Sequence, residues 1–186
     1  MANDYSYPAG IWYLDSAFFW NRGGGVTIRK IVYQATTAAH TATFGTYDYA
    51  DAARATMTSK DCVITGTNNI ESTGNFEATE ALAGDAIWIK EAGATGLTAN
   101  MGKFLIKTRT DDNNVILVGD GGSLVPLTND AAGVYSWVTI APHIAAKLTV
   151  TGTEVCTEEL DFGDGLWLPN FSLYQISSGA VWVYLA

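Results

Sequence analysis

Short apolar or alternating runs, each closed by a cluster of Gly, Asn, Asp or Thr, recur along the whole chain. The clearest are "GVTIRKIVYQ" (25–34), "DCVITG" (61–66), "DAIWIK" (85–90), "KFLIKTR" (103–109), "NVILVG" (114–119), "YSWVTI" (135–140), "KLTVTG" (147–152) and "AVWVYL" (180–185). Runs of this length, rich in Val, Ile, Thr and aromatics and bounded by turn formers, specify half-buried strands. One stretch competes for a helix, "DYADAARATM" (48–57), where Asp48 can cap an Ala-rich turn. The expected fold is therefore all-β, an antiparallel β-sandwich or barrel-like lobes with at most a short helix. Residues 1–9 read as an extended arm and 10–186 as the β domain, with a division into two β lobes near residue 75 allowed by the length.

Two strand readings are specific. In "GVTIRKIVYQ" Val26 and Ile28 are in one phase and Ile31 and Tyr33 in the other, so a β-bulge near Lys30 is needed to keep one buried face. The segment 103–119 reads as a hairpin turning at Asp111–Asn114, with Phe104 and Ile106 facing one way and Lys107 and Arg109 the other. The last residues form an apolar alternating strand, which must be tied into a sheet. As an edge strand it would offer unpaired backbone to a partner, with Trp182 and Tyr184 as subunit contacts. At the other terminus the unpatterned "MANDYSYP" offers Tyr5 and Tyr7 in the same role, since at about 3.3 Å per residue the arm reaches over about 20 Å.

A local pattern occurs twice: Gly84-Asp85-x-Ile87-Trp88-Ile89 and Gly163-Asp164-x-Leu166-Trp167-Leu168. Gly and Asp belong to turns, so each copy reads as a chain leaving a turn and entering a sheet, with the aliphatics on one face and the Trp on the other. The competing reading makes Asp85 and Asp164 a carboxylate pair for glycoside hydrolysis, a separation that sequence spacing does not fix. Of the tryptophans at 12, 20, 88, 137, 167 and 182, those at 88, 167 and 182 lie inside alternating strands and are expected to fill the core and subunit contacts. The alternative is a carbohydrate-binding β module that stacks sugar rings on exposed aromatics.

Composition narrows the function. Ten Lys and Arg stand against nineteen Asp and Glu, a net charge of −9, which repels phosphate backbones. No window approaches the roughly 20 uncharged apolar residues of a membrane span, and the first residues lack the charged and apolar regions of a secretory signal. Neither nucleic acid nor membrane is an expected partner. Cys62 and Cys156 match no metal-ligand spacing and are too few for a disulfide framework. They read as reduced, with a single bridge left open. His40 and His143 are the two histidines; both sit in expected turns without a nucleophile motif nearby. "GDGGS" (119–123) precedes Pro126 rather than a helix, so it reads as a turn and not a phosphate loop. The acidic stretches 110–114, 127–133 and 157–164 lack the calcium-loop spacing. No catalytic, cofactor or metal residues are expected.

The run from Phe76 to Gly121 resembles the small β modules of tailed-bacteriophage virion proteins, among them decoration and other head or tail subunits. Phe76, Gly84, Asp85, Ile87, Ile89, Gly102, Phe104, Ile106, Val115 and Leu117 carry the resemblance, over about a quarter of the chain. It implies a non-enzymatic structural virion protein assembled in the host cytoplasm. Its expected role is capsid decoration, with a tail, adaptor or head-fibre component as the alternative. The implied partners are other virion proteins, the major capsid protein first, and copies of itself, a trimer being favoured.

Overall fold

The computed structural model describes residues 3–4, 10–22, 24–37, 39–50, 53–124, 126–150 and 157–186. These are all-β, apart from one 3₁₀ turn at Thr98–Asn100. They form two compact units: residues 1–46 with 143–186, and Tyr47–Pro142.

The first unit holds β1 (Ile11–Leu14), β2 (Phe18–Trp20), β3 (Val26–Gln34), β4 (His40–Thr46), β11 (His143–Val150), β12 (Thr157–Leu168), β13 (Phe171–Ile176) and β14 (Ala180–Leu185). They form two antiparallel four-stranded sheets, ordered β1-β14-β3-β12 and β11-β4-β13-β2. One core joins both, with Trp12, Leu14, Ile28, Ile31, Tyr33, Val181 and Val183 from the first sheet and Phe18, Phe44, Phe171 and Leu173 from the second. This is a β-sandwich.

The second unit holds β5 (Ala55–Thr65), β6 (Asn69–Glu71), β7 (Ala86–Ala92), β8 (Gly102–Arg109), β9 (Asn114–Val118) and β10 (Asp130–Ile140). They close into a barrel in the order β10-β5-β6-β9-β8-β7. Barrel closure demands local bends, and bulges supply them. At Thr58–Ser59 β5 gains a residue on β10, with Ser59 at φ 50° and its amide donating to Ser136 Oγ at 3.1 Å. Ile64, Ile70, Ile87, Ile89, Ile106, Val115 and Leu117 fill the interior, and Phe76 stacks on Trp137 at 5.3 Å.

The junctions fall at 46/47 and 142/143, not near 75, which lies within the barrel unit. The reason is pairing. β4 and β11 are antiparallel neighbours, His143 opposite Thr46, so the whole barrel is inserted where a hairpin loop would join them. Alternation locates strands but does not say which of them are partners.

The bulge near Lys30 is present. Val26, Ile28, Ile31 and Tyr33 are all buried, and against β14 two steps of β3 from Lys30 to Ile28 match one from Tyr184 to Leu185. The 103–119 hairpin is β8 paired with β9; Asp111 accepts the amide of Asn113 at 2.7 Å, which helps hold its carboxyl below the usual range. Among the described residues of 48–57 no helix is formed. Asp48 Oδ1 accepts the Ala50 amide at 2.8 Å in a turn, and by Ala55 the chain is already in β5, where ladder bonds to β10 outweigh alanine's helical preference.

Candidate functional site: aromatic side chains on the outer faces of the sheets

Each aliphatic-Trp-aliphatic triplet turns its indole outward. Ile87 and Ile89 are buried and Trp88 is only half-buried; Val181 and Val183 are buried and Trp182 half-buried; Leu168 is buried and Trp167 is 58% exposed. Alternation separates two faces without saying which is inside. The paired aliphatics, being compact and purely apolar, take the interior and leave the indoles outside. The part of the expectation that places Trp88, Trp167 and Trp182 in the core is corrected accordingly; Trp12 and Trp137 are the fully buried ones among the described residues.

The outer face of the sheet β1-β14-β3-β12 collects most of these side chains. Tyr13, Trp182 and Val32 stand side by side across three strands, and Ile11, Tyr184 and Lys30 form the next row. Tyr13 and Trp182 meet edge to face at 5.4 Å. Lys30 is anchored by Glu159 at 2.6 Å, a hydrogen bond that raises its pKa. On the same face Trp167 pairs with Thr27, and its ring lies so close over Gly25 that a Cβ there would sit 2.9 Å from it. A shallow depression beside Trp182 is lined by Tyr13, Asp15, Gln34, Thr36 and Gly179.

β14 is not an edge. It lies between β1 and β3, so its backbone is occupied on both sides and what it offers a partner is its outward side chains. The edges of that sheet are β1 and β12. β12 is blunted by its acidic residues and by a bulge: Asp161 opposes Lys30 and Leu166 opposes Ile28, leaving Phe162–Gly165 looped out. The second Gly-Asp copy sits in this bulge, with Gly163 at φ 59° donating to Asp161 Oδ1 at 2.8 Å. It does not lead into a strand; it interrupts one.

The first copy does lead into a strand, and it is buried. Gly84, at φ 96°, donates to Ile106 O at 2.8 Å and accepts the Tyr47 hydroxyl at 2.6 Å. Asp85 is 1% exposed. Its carboxylate receives the Leu82 amide at 2.9 Å and is gripped by Arg54 at 2.7 Å. Burial pushes its pKa up, and the bonds from Arg54 and Leu82 oppose that. Asp85 is thus spent on structure, whereas Asp164 is exposed and belongs to the other unit.

The remaining sequence candidates are scattered. His40 and His143 are strand residues rather than turn residues, at opposite ends of the β4–β11 ladder. Gly119 and Ser123 close the "GDGGS" turn with a 2.9 Å backbone bond. Among the described residues no group of three or more His, Cys, Asp and Glu comes together, and no helix is long and apolar enough to cross a membrane. Cys62 is buried and free, its thiol pushed up to about 11 by burial. Cys156, Tyr5 and Tyr7 lie outside the described residues. The start of the arm is not loose: Asp4 pairs with Tyr13, and Asn3 Oδ1 accepts the amides of Asp15 and Ser16 at 3.0 and 3.2 Å.

Sequence reasoning missed a second aromatic group on the barrel's outer surface, built by Tyr49, Trp88, Lys90 and Lys103. Lys103 stands opposite Trp88 across β7 and β8, a pairing no one-dimensional pattern displays.

The chain matches no protein family, no curated protein and no solved structure.

Proposed function

We propose that this protein is a structural subunit of a bacteriophage virion, a capsid decoration or stabilising protein that works through contacts and not turnover. The observation that carries the reading is the outer face of the sheet β1-β14-β3-β12, where Tyr13, Trp182, Tyr184 and the exposed Trp167 stand among Ile11 and Val32. Aromatic side chains grouped on one face are characteristic of the buried centre of a subunit interface. Covering that face stabilises an assembly by roughly 25 cal/mol per Å² of apolar area, before the costs of association are subtracted.

The partners on this reading are further copies of the chain, as a trimer, and the major capsid protein. The acidic balance of −9 suits the outside of a shell better than a lumen packed with phosphate. The protein would be made in the host cytoplasm and carried on the particle.

The test is to purify particles from cells that express the chain in its native gene context, band them by density and quantify their proteins by mass spectrometry. The reading requires the chain to band with the particles at a fixed ratio to the shell protein. Its recovery solely in the soluble fraction sinks the reading. A ratio of a few copies per particle moves it from decoration to the tail or adaptor.

A further inference from the structure

The barrel unit carries a separate cluster on its outer surface. Trp88, on β7, meets Tyr49 edge to face at 5.9 Å. The ammonium of Lys103 lies 3.7 Å from the centre of the Tyr49 ring and 4.9 Å from that of Trp88, and the ammonium of Lys90 lies 4.6 Å from the same indole. Two cations therefore share one ring. Each is attracted by the ring's negative face, and the two repel one another.

Neither lysine has a carboxylate within ion-pair distance among the described residues, although acids outnumber bases by nineteen to ten. In so acidic a chain, two bases left without a counter-ion on one aromatic group form a local exception to the surrounding field. The Tyr49 hydroxyl is buried, so Tyr49 offers the site its ring and not its oxygen. Burial also lowers the pKa of Lys103, a desolvation cost that an arriving anion would offset.

A flat aromatic plane and two ammonium groups complement a six-membered ring that bears a carboxylate. We propose that Tyr49, Trp88, Lys90 and Lys103 form a binding site for an acidic saccharide, a uronate unit of a longer glycan. Lys90, whose side chain is exposed, and Lys103 leave the indole to close on the carboxylate through charge-assisted hydrogen bonds, and the apolar face of the sugar ring takes their place against the indole. A nucleic acid strand is the poorer fit, because it would bring a charge per nucleotide to a chain whose net charge is −9, whereas one uronate places its charge where the lysines are. The site belongs to the barrel alone and does not depend on the aromatic sheet face or on the virion reading.

Titration calorimetry of the full chain with trigalacturonate, with the uncharged trisaccharide of galactose and with a short oligothymidylate decides the matter. Saturable binding of trigalacturonate is expected, weakened by added salt and at least about tenfold tighter than the neutral sugar, as loss of a charge-assisted contact implies. Lys103→Gln, which removes the charge and leaves a polar side chain one atom shorter, and Lys90→Gln, at an exposed position, should each weaken it by about the same factor with an unchanged circular dichroism spectrum. Tyr49→Phe, which keeps the ring, should leave it unchanged. No saturable binding, equal affinity for the neutral sugar, indifference to both lysine variants, or tighter binding of oligothymidylate would each overturn the proposal.

Discussion

The guanidinium of Arg54 holds the carboxylate of Asp85 from two nitrogens, Nε at 2.7 Å from Oδ2 and a terminal nitrogen at 3.2 Å from Oδ1. The pair ties the residue just before β5 to the residue just before β7, and the Leu82 amide completes the carboxylate's bonding. Removing one partner of a buried pair leaves the other uncompensated. Because Arg54 keeps some access to water, Asp85→Ala should cost about 2–4 kcal/mol, toward the lower end for such pairs. Asp85→Asn, which keeps the shape and an acceptor for Leu82, should cost less. Urea unfolding of both variants reads the difference, and equal costs would show that shape and not charge holds this turn.

The same pair sets a pH dependence. Burial raises the pKa of Asp85 above its ordinary 3.8, so between that value and the raised one the folded chain binds more protons than the unfolded chain. The contribution of this group to stability therefore increases as the pH falls through the raised pKa and is lost as the pH rises through it. Carbon NMR titration of the Asp85 carboxyl should give a midpoint above the ordinary value. Asp85→Asn should remove this component from the stability profile. A midpoint below 3.8 would mean that Arg54 and Leu82 outweigh desolvation.

Glycines of similar backbone conformation should differ sharply in tolerance. Gly179, at φ 82° between β13 and β14, is packed so that a Cβ would overlap the Gln34 carbonyl oxygen and the Ala35 backbone. Gly163, at φ 59°, has nothing within 4 Å of a Cβ. Gly179→Ala should cost about 3 kcal/mol or more, combining strain and overlap, and Gly163→Asn should stay within about 1 kcal/mol. Thermal unfolding of the two variants tests the contrast.

The strands were legible because their signal is local. Val26, Ile28, Ile31 and Tyr33 announce both β3 and its bulge, and Phe104 and Ile106 the inward face of β8. The insertion was not, because the pairing of Thr46 with His143 joins residues whose intervening sequence is an entire barrel. The short strand Phe18–Trp20 and the charged strand Thr157–Leu168 also escaped, the first for lack of length and the second because its acidic residues mimic a loop. The two Gly-Asp copies look alike in sequence, yet one is locked under Arg54 and the other loops out of β12; burial and pairing, not residue type, separate them. The outer aromatic clusters depend on knowing which face of an alternating strand is inside, and cross-strand neighbours such as Trp88 and Lys103 exist only once register is set.

β14 is an inner strand that supplies Val181 and Val183 to the sandwich core and hydrogen-bonds to β1 and β3. Deleting 180–186 should abolish cooperative unfolding of the sandwich and expose apolar surface, seen as dye binding and loss of near-ultraviolet circular dichroism. A truncated chain with the full-length spectrum and melting transition would contradict the placement of β14 at the centre of its sheet.

The central claim is that the aromatic face around Trp182 is a contact between subunits. Light scattering coupled to size-exclusion chromatography, run over a range of concentrations on the full chain and on the double variant Trp182→Ser with Tyr184→Ser, tests it most directly. Both residues point outward from β14, so the variant should keep its fold by circular dichroism. The claim predicts a discrete trimer for the full chain and a monomer for the folded variant. A monomer for the full chain at every concentration, or a double variant of unchanged mass, would contradict it.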